Sequence, residues 1–216
     1  IKEGAMSIVN LNKRMTQDET EYSAAIRSSD SMIYVTADKE CENVPIITDP
    51  SGPDCLALHV GTCLYYKGCN WKIDSEKGVK IKAGTSVVLE TAESLRLPAN
   101  VYGLLYGNGK NIYRGAFISC GKIDPLFTGK LRIGIYNGGA KKIVLKTGDK
   151  LAYAVFFQTE SDILSDQLSR ATEVPSIREK LGVWTRLGRF VSDHSVIIAT
   201  ITSILAFAIS VAKIFV

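Results

Sequence analysis

The chain has 216 residues, 46% of them apolar and 22% charged, with 18 Gly and 6 Pro. That composition excludes a disordered tract and a disulfide-stapled miniature, and leaves one ordinary domain with an appendage. Lys and Arg outnumber Asp and Glu by 26 to 22, a net charge of +4, too weak by itself to argue for nucleic acid.

In chain order, Ile1 to Ala5 ahead of Met6 read as an expression scar. Residues 17–29, QDETEYSAAIRSS, predict a short helix with an acidic first turn. From about residue 45 to 160 the pattern turns to short β-type runs, among them CLALHVG, SVVLETA, VYGLLYG, GAFISCG, KLRIGIYN, KKIVLKT and KLAYAVFF. Gly, Asn and Pro separate them at the spacing of a sandwich or barrel. The expected fold is therefore mainly β. The five cysteines, Cys41, Cys55, Cys63, Cys69 and Cys120, are odd in number and no secretory signal is read before them, so free thiols in a reducing compartment are expected. Cys55, His59 and Cys63 share metal-like spacing, but a closed zinc site needs a fourth ligand, and one face of a strand gives the same pattern by packing. No metal is assigned.

Residues 161–175 are polar and read as a linker or short helix. In SIREKLGVWTRLGRFV, residues 176–191, Ile177, Leu181, Trp184, Leu187 and Val191 fall on one helical face. Arg178, Lys180, Arg186 and Arg189 add positive charge, which suits an amphipathic helix at a membrane interface and places the N-terminal part in the cytoplasm. Gly182 and Gly188 weaken that helix. Val196 to Ala212 carries no charge, and a helix of about 17 to 21 residues spans about 25 to 31 Å, the thickness of a bilayer core. Ala199, Ser203, Ala206, Ser210 and Lys213 make one stripe of small and polar residues, read as a plain anchor, a self-association face or a pore lining. The expected organisation is a β domain over 6–160, a linker and juxtamembrane helix over 161–192, and a single transmembrane helix over 193–216 in the inner or cell membrane.

Three segments in the middle carry a likeness. SGPDCLALHVGTCLYYKG (51–68), VKIKAGTSVVLETAESLRLPANVYGLLYGNGK (79–110) and above all GKIDPLFTGKLRIGIYNGGAKKIVLKTGDKLAYAVF (121–156) follow one order of motifs. The I-D-P-x-F-x-G-x-L run, the later N-x-G and the closing G-D-x-L-A make residues 50–158 resemble the dCTP deaminase/dUTPase superfamily. The resemblance implies a jelly-roll-like β fold, trimers, and nucleotide sites between subunits. It also implies a degraded catalytic apparatus. The general acid/base Glu of the deaminases falls on Gly134, which has no proton to move. The Arg-Ser-Ser phosphate motif falls near Tyr106 to Gly109. The water-activating Asp of dUTPases is matched by Asp124, while their Gly-rich C-terminal arm has no counterpart here.

Read as residues, Pro125 keeps Asp124 out of helix and Gly129 turns the chain into the next strand, presenting a carboxylate at a strand entrance. Gly107, Asn108, Gly109 and Lys110 form a polar loop that either cradles phosphate or is a plain β-turn. Tyr102, Tyr106 and Tyr113 can stack on bases, and Lys110, Arg114, Lys122, Lys130 and Arg132 can meet phosphate, or they are core tyrosines and a solvated rim. The expectation is a catalytically inactive, homo-oligomeric (trimer or higher) membrane effector that binds a nucleotide or short single-stranded nucleic acid. Ligand would control its C-terminal helices, disrupting the membrane or opening a channel, as in bacterial antiphage defence. No cofactor is required, with Mg entering only alongside a nucleoside triphosphate. The alternative is a membrane-tethered pyrophosphohydrolase using Asp124.

Overall fold

A computed structural model describes residues 7–28, 31–37, 41, 46, 52–66, 69–163 and 195–212. Two compact units divide the chain, 1–173 and 174–216. The first opens with β1 (Ser7–Ile8), α1 (Leu11–Arg14), β2 (Met15–Thr16), α2 (Glu19–Arg27) and β3 (Ile33–Ala37). It continues through β4 (Cys55–Tyr66), β5 (Cys69–Lys72), β6 (Val79–Ile81), β7 (Ser86–Arg96) and β8 (Val101–Gly107). After α3 (Gly109–Tyr113) come β9 (Ala116–Ile118), β10 (Lys122–Ile123), β11 (Thr128–Asn137), β12 (Ile143–Leu145) and β13 (Lys150–Gln158). The mainly β expectation holds.

The strands follow the path β10-β8-β13-β4-β7-β11-β9, with β1 on β13, β3 on β7 and β5 on β4; β6 and β12 pair separately. All pairs are antiparallel except β2 with β3. One strand joins the two halves of this path. The first part of β4 pairs with β13, with Lys150 opposite His59, and its later part pairs with β7, with Val60 opposite Thr91 and Leu64 opposite Leu89. Register shifts on both pairings mark the corner. Gly61 sits there because a Cβ would come within 2.7 Å of the Thr91 carbonyl oxygen.

The core follows strand alternation. Leu56, Leu58 and Val60 on β4, Val87, Leu89 and Leu95 on β7, Ile133 and Ile135 on β11, and Leu151 and Phe156 on β13 are buried together. Fully burying each large side chain contributes about 1.5–3 kcal/mol. Asn137, fully buried, ties the end of β11 down: its amide donates to the carbonyls of Ile81 (3.0 Å) and Lys141 (2.9 Å), and its oxygen accepts from the Gly139 N–H (3.0 Å).

In the second unit, α4 (Ser195–Ala212) is an 18-residue helix over the apolar segment. Among the described residues no helix is long and apolar enough to cross a membrane. The juxtamembrane helix, most of the 161–192 linker and Lys213 lie outside the described residues, as does the side chain of Ser210. On the described part of the stripe, the Ser203 hydroxyl donates to the Ala199 carbonyl at 2.8 Å, so it serves the helix's own backbone.

Candidate functional site

Asp124 follows β10 in a tight turn, closed by the Phe127 N–H donating to the Asp124 carbonyl at 3.1 Å. Pro125 presets the first central residue of that turn. The second, Leu126, has φ +61°, a left-handed conformation that costs a branched residue about 1 kcal/mol or more. The Asp124 carboxylate, 44% exposed, meets the Lys122 ammonium at 2.9 Å. That ammonium lies 6.0 Å over the Tyr102 ring, itself stacked on Phe157 at 5.3 Å. Asp124, Lys122 and Tyr102 are thus one cluster, at the β8 end that begins with Val101.

The Gly107–Lys110 segment is at the other end of β8. It was expected as a loop between strands; instead Gly107 closes β8, and Gly109 starts α3. Asn108 caps that helix, its side-chain oxygen accepting from the Lys110 N–H at 3.0 Å. One of the amides available to a phosphate is therefore already engaged. Lys110 and Arg114 have no carboxylate partner among the described residues, and Tyr113 is 93% exposed. Tyr106 stacks on Tyr153 at 5.4 Å. From Tyr102 to Gly107 the strand rises about 17 Å, so a single chain does not bring Asp124 and this segment to one ligand atom.

Gly134 lies on β11 opposite Val88. Its N–H donates to the Ser119 hydroxyl at 2.9 Å, and its carbonyl accepts the Ser119 N–H at 2.7 Å. A Cβ at Gly134 would sit 3.3 Å from that hydroxyl, a contact a small rotor can relieve. Lys130 and Arg132 on the same strand are committed elsewhere. Both face Glu90, at 3.6 and 3.8 Å, and the Arg132 guanidinium lies 4.1 Å over the Tyr65 ring. Burial first, and then the Glu90 charge, push the Tyr65 phenol up. These two cations face a carboxylate in the free chain rather than an open phosphate site.

Sequence reasoning did not find Glu93. Fully buried, its carboxylate accepts from the His59 backbone N–H at 2.9 Å and contacts His59 Nδ1 at 2.6 Å. His59 is thereby engaged by a carboxylate at the β4 corner rather than aligned with Cys55 and Cys63 around an ion. The available signal was Glu93's place at the same parity as Val87, Leu89 and Leu95, inward positions of β7. Among the described residues no three His, Cys, Asp or Glu side chains converge as metal ligands.

A family model described as dUTPase matches residues 70–178, a segment beginning and ending later than the 50–158 of the motif resemblance. The dCTP deaminase of Thermococcus kodakarensis is 27% identical over 111 residues, covering 51% of this chain and 70% of that protein. The deoxyuridine 5'-triphosphate nucleotidohydrolase of Paramecium bursaria Chlorella virus 1 is 27% identical over 89 residues, covering 41% of this chain and 63% of that protein. In the crystal structure of 2'-deoxycytidine 5'-triphosphate deaminase from Agrobacterium tumefaciens, the matched fold has a TM-score of 0.50 at 16% identity, covering 71% of this chain but only 49% of that one.

Proposed function

The chain belongs to the dUTPase family, and on that premise we propose that its β domain binds a nucleotide or short oligonucleotide without turning it over, as the sensing half of a membrane effector. The reading is carried by Gly134. Where the resemblance puts a proton-moving carboxylate there is backbone, its N–H occupied by the Ser119 hydroxyl, and general acid/base catalysis needs a group that exchanges a proton. Lys110, Arg114 and the exposed Tyr113 ring supply what binding needs: charge for phosphate and a face for a base.

Because Asp124 and Gly107–Lys110 stand about 17 Å apart along β8, a site using both is completed between copies, and the protein acts as a homo-oligomer, a trimer or higher. The segment 193–216 anchors it in the inner or cell membrane with the β domain in the cytoplasm. Ligand shifts the arrangement of these helices, toward membrane disruption or a channel, only through unequal affinity for two assembly states. No cofactor is required. Asp124 is already paired with Lys122 and poorly suited to hold a cation alone, so Mg2+ would arrive with a triphosphate. The second reading, a pyrophosphohydrolase, is favoured by the same Asp124, half exposed beside a strand.

Titration of the full-length protein with dUTP, dCTP and a short single-stranded oligonucleotide should give micromolar binding with no product. Turnover faster than about 1 per second, abolished by Asp124→Asn, would establish the hydrolase instead. Liposomes that never leak, with or without ligand, would remove the effector half.

A further inference from the structure

Away from every residue placed in the site above, a cleft of about 510 Å³ opens between the β4–β5 hairpin and β6. Its floor is apolar: Ile73, Val79 and Val87 line it, each 5–7% exposed. At its mouth stands Trp71, on β5 opposite Leu64, with 58% of its surface in solvent. Lys80 and Lys82 complete the rim. Neither has a carboxylate partner among the described residues. Asp74, the one acid among the described residues of the cleft wall, is used locally: it accepts from the Glu76 and Lys77 N–H groups, both at 3.0 Å, and lies 3.6 Å from the Lys77 ammonium. Those backbone donors, that of Lys77 first, hold its carboxyl below the usual range.

The geometry points to a second ligand site in this cleft, for a flat aromatic group joined to a phosphate, of the chemical class of a nucleoside monophosphate. Each part of that ligand answers something in the cleft. An indole held largely in water gains by stacking a second ring on its face. Two ammonium groups with no carboxylate partner among the described residues, on neighbouring outward positions of one strand and its exit, attract a compact anion. The volume falls within the range of small-molecule sites. A bilayer surface is a poorer fit, because the apolar side chains other than Trp71 lie inside a concavity. This site does not depend on the nucleotide reading of Gly107–Lys110 and Asp124, and its test separates the two.

Trp71 and Trp184 are the two tryptophans, so the full-length Trp184→Phe protein reports on Trp71 alone. Its fluorescence is titrated with AMP, adenosine, inorganic phosphate and phosphatidylglycerol vesicles. AMP should quench saturably, and adenosine or phosphate alone should need about tenfold higher concentration. Lys80→Ala with Lys82→Ala should weaken AMP about fivefold to tenfold with an unchanged melting temperature, whereas Lys110→Ala and Asp124→Asn should leave the Trp71 quenching curve where it was. Saturation-transfer NMR of AMP provides a second readout: the signal should persist in Lys110→Ala and fall in the Lys80→Ala, Lys82→Ala protein. No saturable quenching by about 1 mM AMP, equal affinity for adenosine, quenching by vesicles only, or loss of the signal in Lys110→Ala or Asp124→Asn would each overturn the assignment.

Discussion

Glu93 is the one fully buried acid among the described residues, and it stands where β4 changes partners. At that corner the His59 amide donates to the Glu93 carboxylate on β7, which also engages the ring. Replacing Glu93 with Leu leaves the backbone donor and the imidazole without that acceptor. Glu93→Leu should therefore lower unfolding free energy by about 3–5 kcal/mol, read from urea denaturation, and adding His59→Leu should recover part of the loss. At this scale the sequence was half legible. Asp124, Lys122 and Tyr102 cluster through the pairing of β10 with β8, which no spacing in the sequence shows. Lys130 and Arg132 looked like phosphate ligands because their partner, Glu90, is some forty positions away and reaches them only by strand pairing. The metal-like spacing of Cys55, His59 and Cys63, to which no metal is assigned, says nothing of His59's partner either, because Glu93 lies across the sheet.

Among the elements, α2 shows how much a local signal can carry. Its acidic first turn was readable, and the structure adds the cap: the Asp18 carboxylate accepts from the Thr20 N–H at 2.7 Å and the Glu21 N–H at 3.3 Å. Those donors, that of Thr20 first, hold the Asp18 carboxyl below its ordinary value. A lowered folded value means the contribution is present above the carboxylate range of the unfolded chain and is lost as pH falls through the folded one. Asp18→Ala should thus depress the melting temperature at neutral pH, and by progressively less as pH falls below the ordinary Asp range of about 3.9, measured by circular dichroism on both proteins. The seven quoted β-type runs correspond to β4, β7, β8, β9, β11, β12 and β13. Among the elements missed, β3, β5 and the two-residue β1, β2 and β10 offer too few positions for alternation to show, and α1 is a single turn. α3 was hidden because Gly, Asn and Lys read as a turn, and its five residues are fewer than two helical periods.

The whole β domain keeps a good deal of apolar surface in water. Leu104, Ile112, Phe117, Leu126 and Tyr136 are each 42–54% exposed, and all come from β8 to β11 and their connections. Such surface on one run of neighbouring elements calls for cover, and under the homo-oligomer proposed above a second copy of the chain would supply it and bring Asp124 toward another subunit's Gly107–Lys110. Leu104→Glu should then shift the protein toward monomer in sedimentation velocity and weaken nucleotide binding together with assembly, while a ligand at Trp71 should be unaffected. The overall architecture was legible because strand periodicity is local; which residues lie at which end of β8 was not, because that is decided by long-range strand pairing. The seam strand β4 has a mechanical consequence. With its first half hydrogen-bonded to β13 and its second to β7, neither half of the domain can melt and leave the other standing, so a force or denaturant that frees β4 dissolves the whole β domain in a single step.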